Sequence, residues 1–158
     1  MPSPAEPERA SALLVCSPGG HLLQMMRLQP AWESFDATWV TLEAADSRHL
    51  LRDSAVVFAH GPTNRSLSRF FVNLRLAWRI VREKRPRVIL STGAALAVPF
   101  FLVGKLHGCR LVYVESLTRT DGLSLAGRLV YPLADAFFAQ WPNAAAGRGR
   151  ARYVGGLL

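Results

Sequence analysis

Six short apolar runs constrain the fold of this chain more than any other feature of its sequence. The runs are rich in Val, Leu, Ile and Phe without alternating polar residues, which is typical of parallel strands covered by helices on both faces. The runs occupy residues 11–16, 37–42, 55–59, 87–91, 110–114 and 135–139. Most segments between them are long enough for crossover helices, about 21–30, 46–53, 66–85, 94–107 and 121–132. The pattern predicts an α/β fold, a Rossmann-like doubly wound parallel sheet.

The length of the chain, 158 residues of which 50% are apolar, predicts a single domain over residues 11–158. Residues 1–10 contain three prolines and are expected to form a flexible lead-in. They lack the basic start and apolar centre of a signal peptide. The longest uncharged apolar stretch, 94–104, is far shorter than the roughly 20 residues that span a bilayer, so no transmembrane helix is expected.

Charge is distributed unevenly around a net value of +8. Residues 1–53 contain seven acidic and four basic side chains, whereas residues 54–158 contain four acidic and fifteen basic ones. The second part is expected to face, or at least tolerate, something anionic. Since 17 of the 19 basic residues are arginine, a GC-rich genome would explain the bias equally well.

The segment 66–85 has the spacing of an amphipathic helix. One arc of about 100° is expected to pack; it contains Leu67, Phe70, Leu74, Ala77, Trp78 and Val81. Five arginines gather on the far side: Arg65, Arg69, Arg75, Arg79 and Arg82. Two interpretations fit this pattern: an ordinary solvated face, or a surface that faces anionic lipid headgroups or a pyrophosphate-bearing substrate.

Ligands of open parallel sheets bind beyond the carboxyl ends of the strands, and the first such loop here is SPGGH, residues 17–21. Gly19 and Gly20 allow backbone N–H groups to approach a phosphate closely, and the following helix offers its positive end. Neither GxGxxG nor GK[ST] is present, which excludes the dinucleotide fingerprint and the P-loop. A phosphate site and a tight turn capped by His21 both fit.

Two more predicted strands end in candidate site residues. Thr92 and Gly93 repeat the small-residue construction, and together with the first loop they could clamp a diphosphate. Glu115 follows the run 110–114, with Arg119 four residues on. The carboxylate could orient a sugar hydroxyl, act in acid/base chemistry or pair with a nearby arginine. The histidines have no metal-ligand spacing, and Cys16 and Cys109 are expected to be buried thiols, so no metal site is expected.

Six motifs in their order resemble those of the bacterial PssD-type polysaccharide biosynthesis proteins, relatives of the eukaryotic Alg-fourteen subunit. The resemblance covers residues 11–158, almost the whole chain. The motifs are SPGGH, GPTNRSLSRFFVNL, STGAALAVPF, VYVESLTR, LVYPLADAFFAQWP and YVGGLL. This resemblance implies the N-terminal half of a split GT-B glycosyltransferase, similar in design to the amino-terminal domain of the MurG peptidoglycan enzyme.

The resemblance also implies a reaction. A sugar, N-acetylglucosamine or another hexose, passes with inversion from a UDP-sugar to a polyprenyl-diphosphate-linked sugar during exopolysaccharide, capsule or lipid-linked oligosaccharide synthesis. No cofactor or essential metal takes part. This half binds the acceptor, while a separate catalytic partner subunit binds most of the UDP-sugar. The implied location is the anionic inner face of the cell membrane, as a peripheral cytoplasmic protein.

Carried onto this sequence, the resemblance assigns catalytic roles to His21 and Glu115. His21 is then either the base or a diphosphate contact, since imidazole can serve either role near neutral pH. The acceptor-diphosphate set is Ser17, Gly19, Gly20, Thr92, Gly93 and Arg119. The membrane-facing set is the five arginines of the segment 66–85, and the expected partner interface is Trp141, Tyr153 and Leu157.

One departure from the family pattern concerns the membrane. Many members carry an N-terminal membrane helix, whereas here residues 1–16 run directly into the first predicted strand. Attachment is then expected to rest on the arginine-rich helix and nearby apolar surface, or on other proteins. Two alternative functions are a scaffold that only recruits and activates the partner, and a basic nucleic-acid-binding module. The second lacks RNP aromatics, zinc-finger spacing and a helix-turn-helix, so no nucleic-acid partner is expected.

Overall fold

The computed structural model of the protein describes residues 9–63 and 66–157. These residues form one parallel seven-stranded sheet in the order β3-β2-β1-β4-β5-β6-β7. The strands are β1 Ser11–Val15, β2 Asp36–Leu42, β3 Val56–Ala59, β4 Val88–Ser91, β5 Arg110–Val114, β6 Ala136–Ala139 and β7 Ala151–Tyr153. The helices are α1 Gly20–Arg27, α2 Gln29–Trp32, α3 Ala45–Leu50, α4 Leu67–Lys84, α5 Ala97–Leu106, α6 Leu125–Val130 and α7 Pro142–Ala145.

The predicted doubly wound sheet is confirmed, and the six apolar runs coincide with the strands β1 to β6 to within one residue at either end. From β1 the chain builds outward through β2 and β3, then returns after α4 to place β4 on the other side of β1. In register, Leu14 of β1 lies between Trp39 of β2 and Leu90 of β4. This reversal opens a crevice between the carboxyl ends of β1 and β4, which is where such sheets bind ligands.

Helices cover both faces of the sheet, which explains why the strands are apolar throughout rather than alternating. On one face α4, α5 and α6 enclose the larger core, where Tyr113 stacks on Phe137 with ring centroids 5.0 Å apart. On the other face α1 packs Leu22 and Met25 against Trp39. Both cysteines are free and buried as expected, and burial raises the pKa of the Cys16 thiol to about 12.

The long helix α4 is rotated relative to the arc expected from its spacing. Ala77 and Val81 are buried as expected, but Leu67 and Trp78 are 77% and 45% exposed, so their assignment to the packing face is wrong. Asn73 is buried instead, and its amide binds both the N–H and the carbonyl of His60, at 2.9 and 2.8 Å. This pair of hydrogen bonds favours the rotation that turns Asn73 inward and leaves an apolar stripe of α4 outside.

Candidate functional site

Three loops meet at the carboxyl ends of β1, β4 and β5 and enclose a cavity of about 480 Å³. This volume lies within the usual range for small-molecule sites. Its apolar lining comes mainly from α5, α6 and the loop before α5. Its polar lining comes from His21, Ser116, Thr118, Arg119 and Ser124. The structure therefore brings two of the predicted site residues, His21 and Arg119, into one cavity.

His21 is joined to Thr92 by two reciprocal hydrogen bonds across the crevice. The Nδ1 atom of His21 lies 2.8 Å from the carbonyl oxygen of Thr92, and the Thr92 hydroxyl donates to the carbonyl of His21 at 2.7 Å. Because a carbonyl oxygen can only accept, Nδ1 carries the proton. In the neutral ring the lone pair is then on Nε2, while the ring itself lines the cavity. This arrangement suits a general base or a diphosphate contact.

Gly93 leaves space for the His21 ring because it has no side chain. Its backbone has φ +125°, and an added Cβ would lie 2.7 Å from Cε1 of His21. The next residue, Ala94, has φ 72°, a left-handed conformation that is unfavourable for an alanine, and it lines the cavity. Gly93 therefore serves the placement of His21, and the chain is strained at the cavity wall.

Glu115 lies beneath the cavity and is completely buried. Its Oε1 accepts from the backbone N–H of Ser116 at 2.9 Å, while its Oε2 accepts from the N–H and hydroxyl of Ser124 at 2.9 and 3.1 Å. None of the ion pairs among residues 9–63 and 66–157 involves Glu115. The arginine pairing considered from the sequence is therefore not formed there, and the carboxylate instead ties the start of α6 to the end of β5.

The surroundings of Glu115 show how closely this carboxylate is fitted. An added Cβ on Gly127 of α6 would lie 2.0 Å from Oε2 of Glu115, so only glycine is accommodated. Burial, followed by the charge of Glu115, raises the pKa of Tyr113. Tyr113 therefore stays neutral, with its hydroxyl 3.5 Å from the Ser124 hydroxyl. The contacts of the Glu115 carboxylate are those of a group that positions the wall of the cavity.

The glycine loop lies beside the cavity rather than in its lining. Ser17, Gly19 and Gly20 are partly or fully exposed, but the cavity wall begins at His21. The Gly19 N–H donates to the Asp46 carboxylate at 2.6 Å. An acceptor phosphate bound at the Gly19 N–H would have to displace the Asp46 carboxylate. The N–H groups in the first turn of α1 have no hydrogen-bond partner within the helix, so an anion could bind to them instead.

A second, apolar cavity of about 270 Å³ adjoins the first one. The two share Ala95, Val98, Leu125 and Leu129 in their linings, so together they form one trough that is polar at the His21 end. The far end is lined by Leu67 and Phe70 of α4. The trough is shaped for a ligand with a polar head and an apolar tail.

The outer face of α4 continues this apolar surface. Phe71 and Trp78 are 63% and 45% exposed, on the same helix as the exposed Leu67. Four of the arginines assigned to the membrane are also exposed on this helix, namely Arg69, Arg75, Arg79 and Arg82; Arg65 lies outside the described residues. Across residues 9–63 and 66–157, no helix is both long and apolar enough to pass through a bilayer.

The residues assigned to a partner interface lie at the other edge of the site. Trp141 follows β6 and donates its indole N–H to the carbonyl of Leu117 at 2.6 Å. Tyr153 is 47% exposed on β7, and Leu157 is half-buried beside Phe138. An apolar cleft of about 260 Å³ lies here, lined in part by Leu157 and Phe138.

Several site residues were missed from the sequence. Ser116 and Thr118 belong to the motif VYVESLTR, and their alternation after a strand was a usable indication of a hydroxyl-lined loop. Ser124, Gln24 and Gln140 carried no such indication, because their contacts join distant segments. In the part of the chain that the structure describes, no three His, Cys, Asp or Glu side chains are grouped to hold a metal ion.

The sequence is similar to known glycosyltransferase subunits. It is 42% identical over 101 residues to the UDP-N-acetylglucosamine transferase subunit ALG14 of Eremothecium gossypii, covering 61% of this chain and 45% of the relative. It is 28% identical over 185 aligned positions to the subunit of the same name from Debaryomyces hansenii, covering 98% of this chain and 79% of the relative. The chain thus spans less than half of the first relative and most of the second.

The fold is similar to that of MurG from Acinetobacter baumannii, with a TM-score of 0.75 over 91% of this chain and 45% of that one. The sequence identity is 13%, so this similarity concerns the fold alone, a Rossmann-like GT-B architecture. The sequence model for the Alg14-like oligosaccharide biosynthesis proteins matches residues 59–157. The protein whose cavity is described above therefore belongs to the Alg14-like oligosaccharide biosynthesis family.

Proposed function

We propose that this protein is the acceptor-binding subunit of a two-chain inverting glycosyltransferase. A UDP-sugar, UDP-N-acetylglucosamine in the first instance, is the donor, and a polyprenyl-diphosphate-linked sugar is the acceptor. The observation that carries the proposal is the trough that joins the polar cavity at His21 to the apolar cavity at Leu67 and Phe70. A lipid diphosphate has the same division into a charged head and an apolar tail.

The polar end of the trough offers the groups that a diphosphate requires. Arg119 supplies a permanent positive charge. The Ser116 and Thr118 hydroxyls also line this end; they share one hydrogen bond of 3.0 Å, which leaves the second O–H proton free to donate to a ligand. Glu115, the buried acid beneath this end, directs its carboxylate to the N–H groups of Ser116 and Ser124 and to the Ser124 hydroxyl rather than to the cavity. The net electrostatic character of the cavity therefore favours an anion.

The proposal assigns to His21 the removal of a proton from the sugar hydroxyl of the acceptor. A general base must have a free lone pair within reach of the proton that it removes, and Thr92 leaves Nε2 as that atom. In a diphosphate complex the same ring could instead donate from Nε2 as an imidazolium. The proposal gives His21 the base role because Arg119 and the hydroxyl pair of Ser116 and Thr118 already provide contacts for the phosphates.

The membrane is the place where such an acceptor is found. Leu67, Phe71 and Trp78 would enter the interface, and the neighbouring arginines of α4 would meet anionic headgroups, each contributing about 1 kcal/mol. Because the apolar end of the trough is lined by Leu67, the tail of a bound lipid could pass from the trough into the bilayer without crossing water.

A separate partner is proposed to complete the enzyme. The relatives are named as subunits of UDP-N-acetylglucosamine transferases, and this chain spans 45% of the length of MurG. The proposed interface uses Trp141, Tyr153 and Leu157. Leu157 lines the apolar cleft next to β6 and β7, and Trp141 and Tyr153 are adjacent in sequence to the lining residues Gln140 and Val154. Most of the UDP-sugar contacts would then come from the partner.

The proposal is tested by titrating the full chain with farnesyl diphosphate, which combines a diphosphate with an isoprenoid tail. Saturable binding is expected, weakened about tenfold or more by Arg119→Ala because a charge-assisted hydrogen bond is lost. Arg152→Ala, an exposed arginine on β7, is the matched control and should leave the affinity unchanged. No binding, or equal weakening by both substitutions, would contradict the proposal.

A further inference from the structure

Two glutamine side chains join three distant segments behind the polar wall of the cavity. Gln140 follows β6 and is 4% exposed, and its Nε2 lies 2.5 Å from Oε1 of Gln24 on α1 and 2.9 Å from the carbonyl of Glu115. Its Oε1 accepts from the backbone N–H of Leu157 at 3.0 Å. Both N–H groups and the oxygen of the Gln140 amide are therefore used, and exchanging the two ends would place donors against donors.

The same pair holds the loop that presents the polar wall. The N–H of Leu117 donates to Oε1 of Gln24 at 3.3 Å, and the Leu117 carbonyl accepts from the Trp141 indole at 2.6 Å. Leu117 stands between Ser116 and Thr118, which both line the cavity. Fixing the backbone of Leu117 on both sides thus sets where these hydroxyls, and Arg119 beyond them, point.

The segment 154–157 reaches this loop through Gln140. Besides the hydrogen bond from Leu157, the backbone of Gly156 lies close to the loop: an added Cβ would lie 3.9 Å from Cδ1 of Leu117 and 3.7 Å from the carbonyl of Gln140. The segment also lines the apolar cleft at the proposed partner interface. The buried side-chain amide of Gln140 therefore connects the apolar cleft with the loop that lines the cavity.

We propose that Gln24 and Gln140 are positioning residues that hold the loop 116–119 for the acceptor diphosphate and couple it to the segment 154–157. The inference rests on the proposed function for the identity of the ligand, but the hydrogen-bond junction stands on geometry alone. Coupling of this kind is reciprocal: whatever orders 154–157 tightens diphosphate binding, and a bound diphosphate in turn orders 154–157. A partner docked at the cleft would thereby increase affinity at the acceptor site.

The coupling is tested first at Leu157, where the hydrogen bond and the side chain can be separated. Leu157→Pro removes the backbone N–H, whereas Leu157→Ala keeps it and shortens the side chain. With the full chain and farnesyl diphosphate as the probe, Leu157→Pro is expected to weaken binding about fivefold, as for one lost hydrogen bond. Leu157→Ala should weaken binding less. Equal affinities of the proline and alanine variants would overturn the coupling.

Amide hydrogen exchange at Leu117 gives a readout that needs no ligand. Gln24→Met and Gln140→Met should both accelerate exchange of this amide, because the first removes its acceptor and the second removes the group that holds the acceptor. Gln29→Met is the matched control, since Gln29 is exposed on α2 and its side chain donates to Glu33 at 3.5 Å, away from the cavity loop. Leu157→Pro should accelerate exchange at Leu117 as well; exchange as slow as in the wild type would overturn the inference.

These outcomes separate the inference from the proposed function. If the wild-type chain does not bind farnesyl diphosphate, the proposed function fails, and exchange at Leu117 still decides whether the junction positions the loop. If the wild type binds and folded Gln140→Met binds equally well, the inference fails and the proposed function stands. If a glutamine variant does not fold, the two Leu157 variants decide the question.

Discussion

His21 and Thr92 are joined by two hydrogen bonds across the crevice between β1 and β4. The imidazole Nδ1 of His21 donates to the Thr92 carbonyl at 2.8 Å, and the Thr92 hydroxyl donates to the His21 carbonyl at 2.7 Å. This reciprocal link connects the first helix to the loop before α5, two segments that are 71 residues apart. The link fixes the orientation of the His21 imidazole and also which ring nitrogen carries the proton. The ability of His21 to act as a base therefore depends on the loop at 92–94.

Gly93→Ala should displace the His21 ring, because the added methyl carbon would lie 2.7 Å from Cε1 and φ is +125°. Transfer by the reconstituted two-chain enzyme should fall by about a hundredfold, the lower range for loss of a general base. The measurement is kcat at saturating acceptor. Gly122→Ala is the control, since an added Cβ there meets nothing within 4 Å and φ is not positive. Equal rates for the two variants would show that the ring position does not matter.

Glu115→Gln should destabilise the fold by about 2 kcal/mol, because an amide N–H₂ would face a backbone N–H that the carboxylate now accepts. Urea unfolding measures this loss, with exposed Glu33→Gln as the control. In the transfer assay the acceptor KM should rise more than kcat falls, since Glu115 acts through the loop. A large fall in kcat with unchanged unfolding free energy would instead assign Glu115 to the chemistry.

Replacing Arg75, Arg79 and Arg82 together by glutamine should weaken binding to vesicles containing an anionic phospholipid. About 3 kcal/mol of attraction would be lost, and the difference should shrink as salt is added. Cosedimentation with vesicles measures it. Glutamines at Arg27, Arg87 and Arg152 remove the same charge from exposed positions on other parts of the fold and serve as the control. Equal losses from both triple variants would mean that net charge alone, rather than the α4 face, drives binding.

Asp135→Asn should lower stability near neutral pH but not in acid. Partial burial opposes ionisation, yet hydrogen bonds from the Leu111 N–H and Lys105 lower the pKa of Asp135 below its ordinary value. A carboxyl with a lowered folded-state pKa contributes stability above its unfolded pKa, and the contribution is lost as pH falls through the folded value. Urea unfolding should show a difference of about 1 kcal/mol at pH 7 that narrows below about pH 4. A difference independent of pH would contradict this.

The sheet could be predicted from the sequence because its strands are covered on both faces, which makes each one a continuous apolar run. β7 is an exception: Ala151–Tyr153 is three residues long and lies at the edge of the sheet next to β6 alone, so it lacks the apolar run. The rotation of α4 could not be predicted from the sequence either. Asn73 turns inward because its side-chain amide forms two hydrogen bonds with the backbone of His60.

The candidate site was predicted in part for a similar reason. The ends of the predicted strands indicate the loops that contain His21, Thr92 and Arg119. The roles of these side chains, however, depend on partners that are distant in sequence. Glu115 at a strand end predicts an acid near the ligand, but its Oε1 accepts from the Ser116 N–H and its Oε2 accepts from Ser124, nine residues later. No local pattern indicates that Gln24 and Gln140, 116 residues apart, share a hydrogen bond.

The central claim, that this chain supplies the acceptor site and a base to an enzyme completed by a partner, is tested most directly by a transfer assay. Labelled UDP-N-acetylglucosamine and a short-chain prenyl-diphosphate-linked sugar are given to the chain alone, to its UDP-sugar-binding partner alone, and to the pair. We predict turnover by the pair only, reduced about a hundredfold or more by His21→Ala with the complex intact. Full turnover by the isolated chain, or undiminished turnover by the His21→Ala pair, would contradict the account.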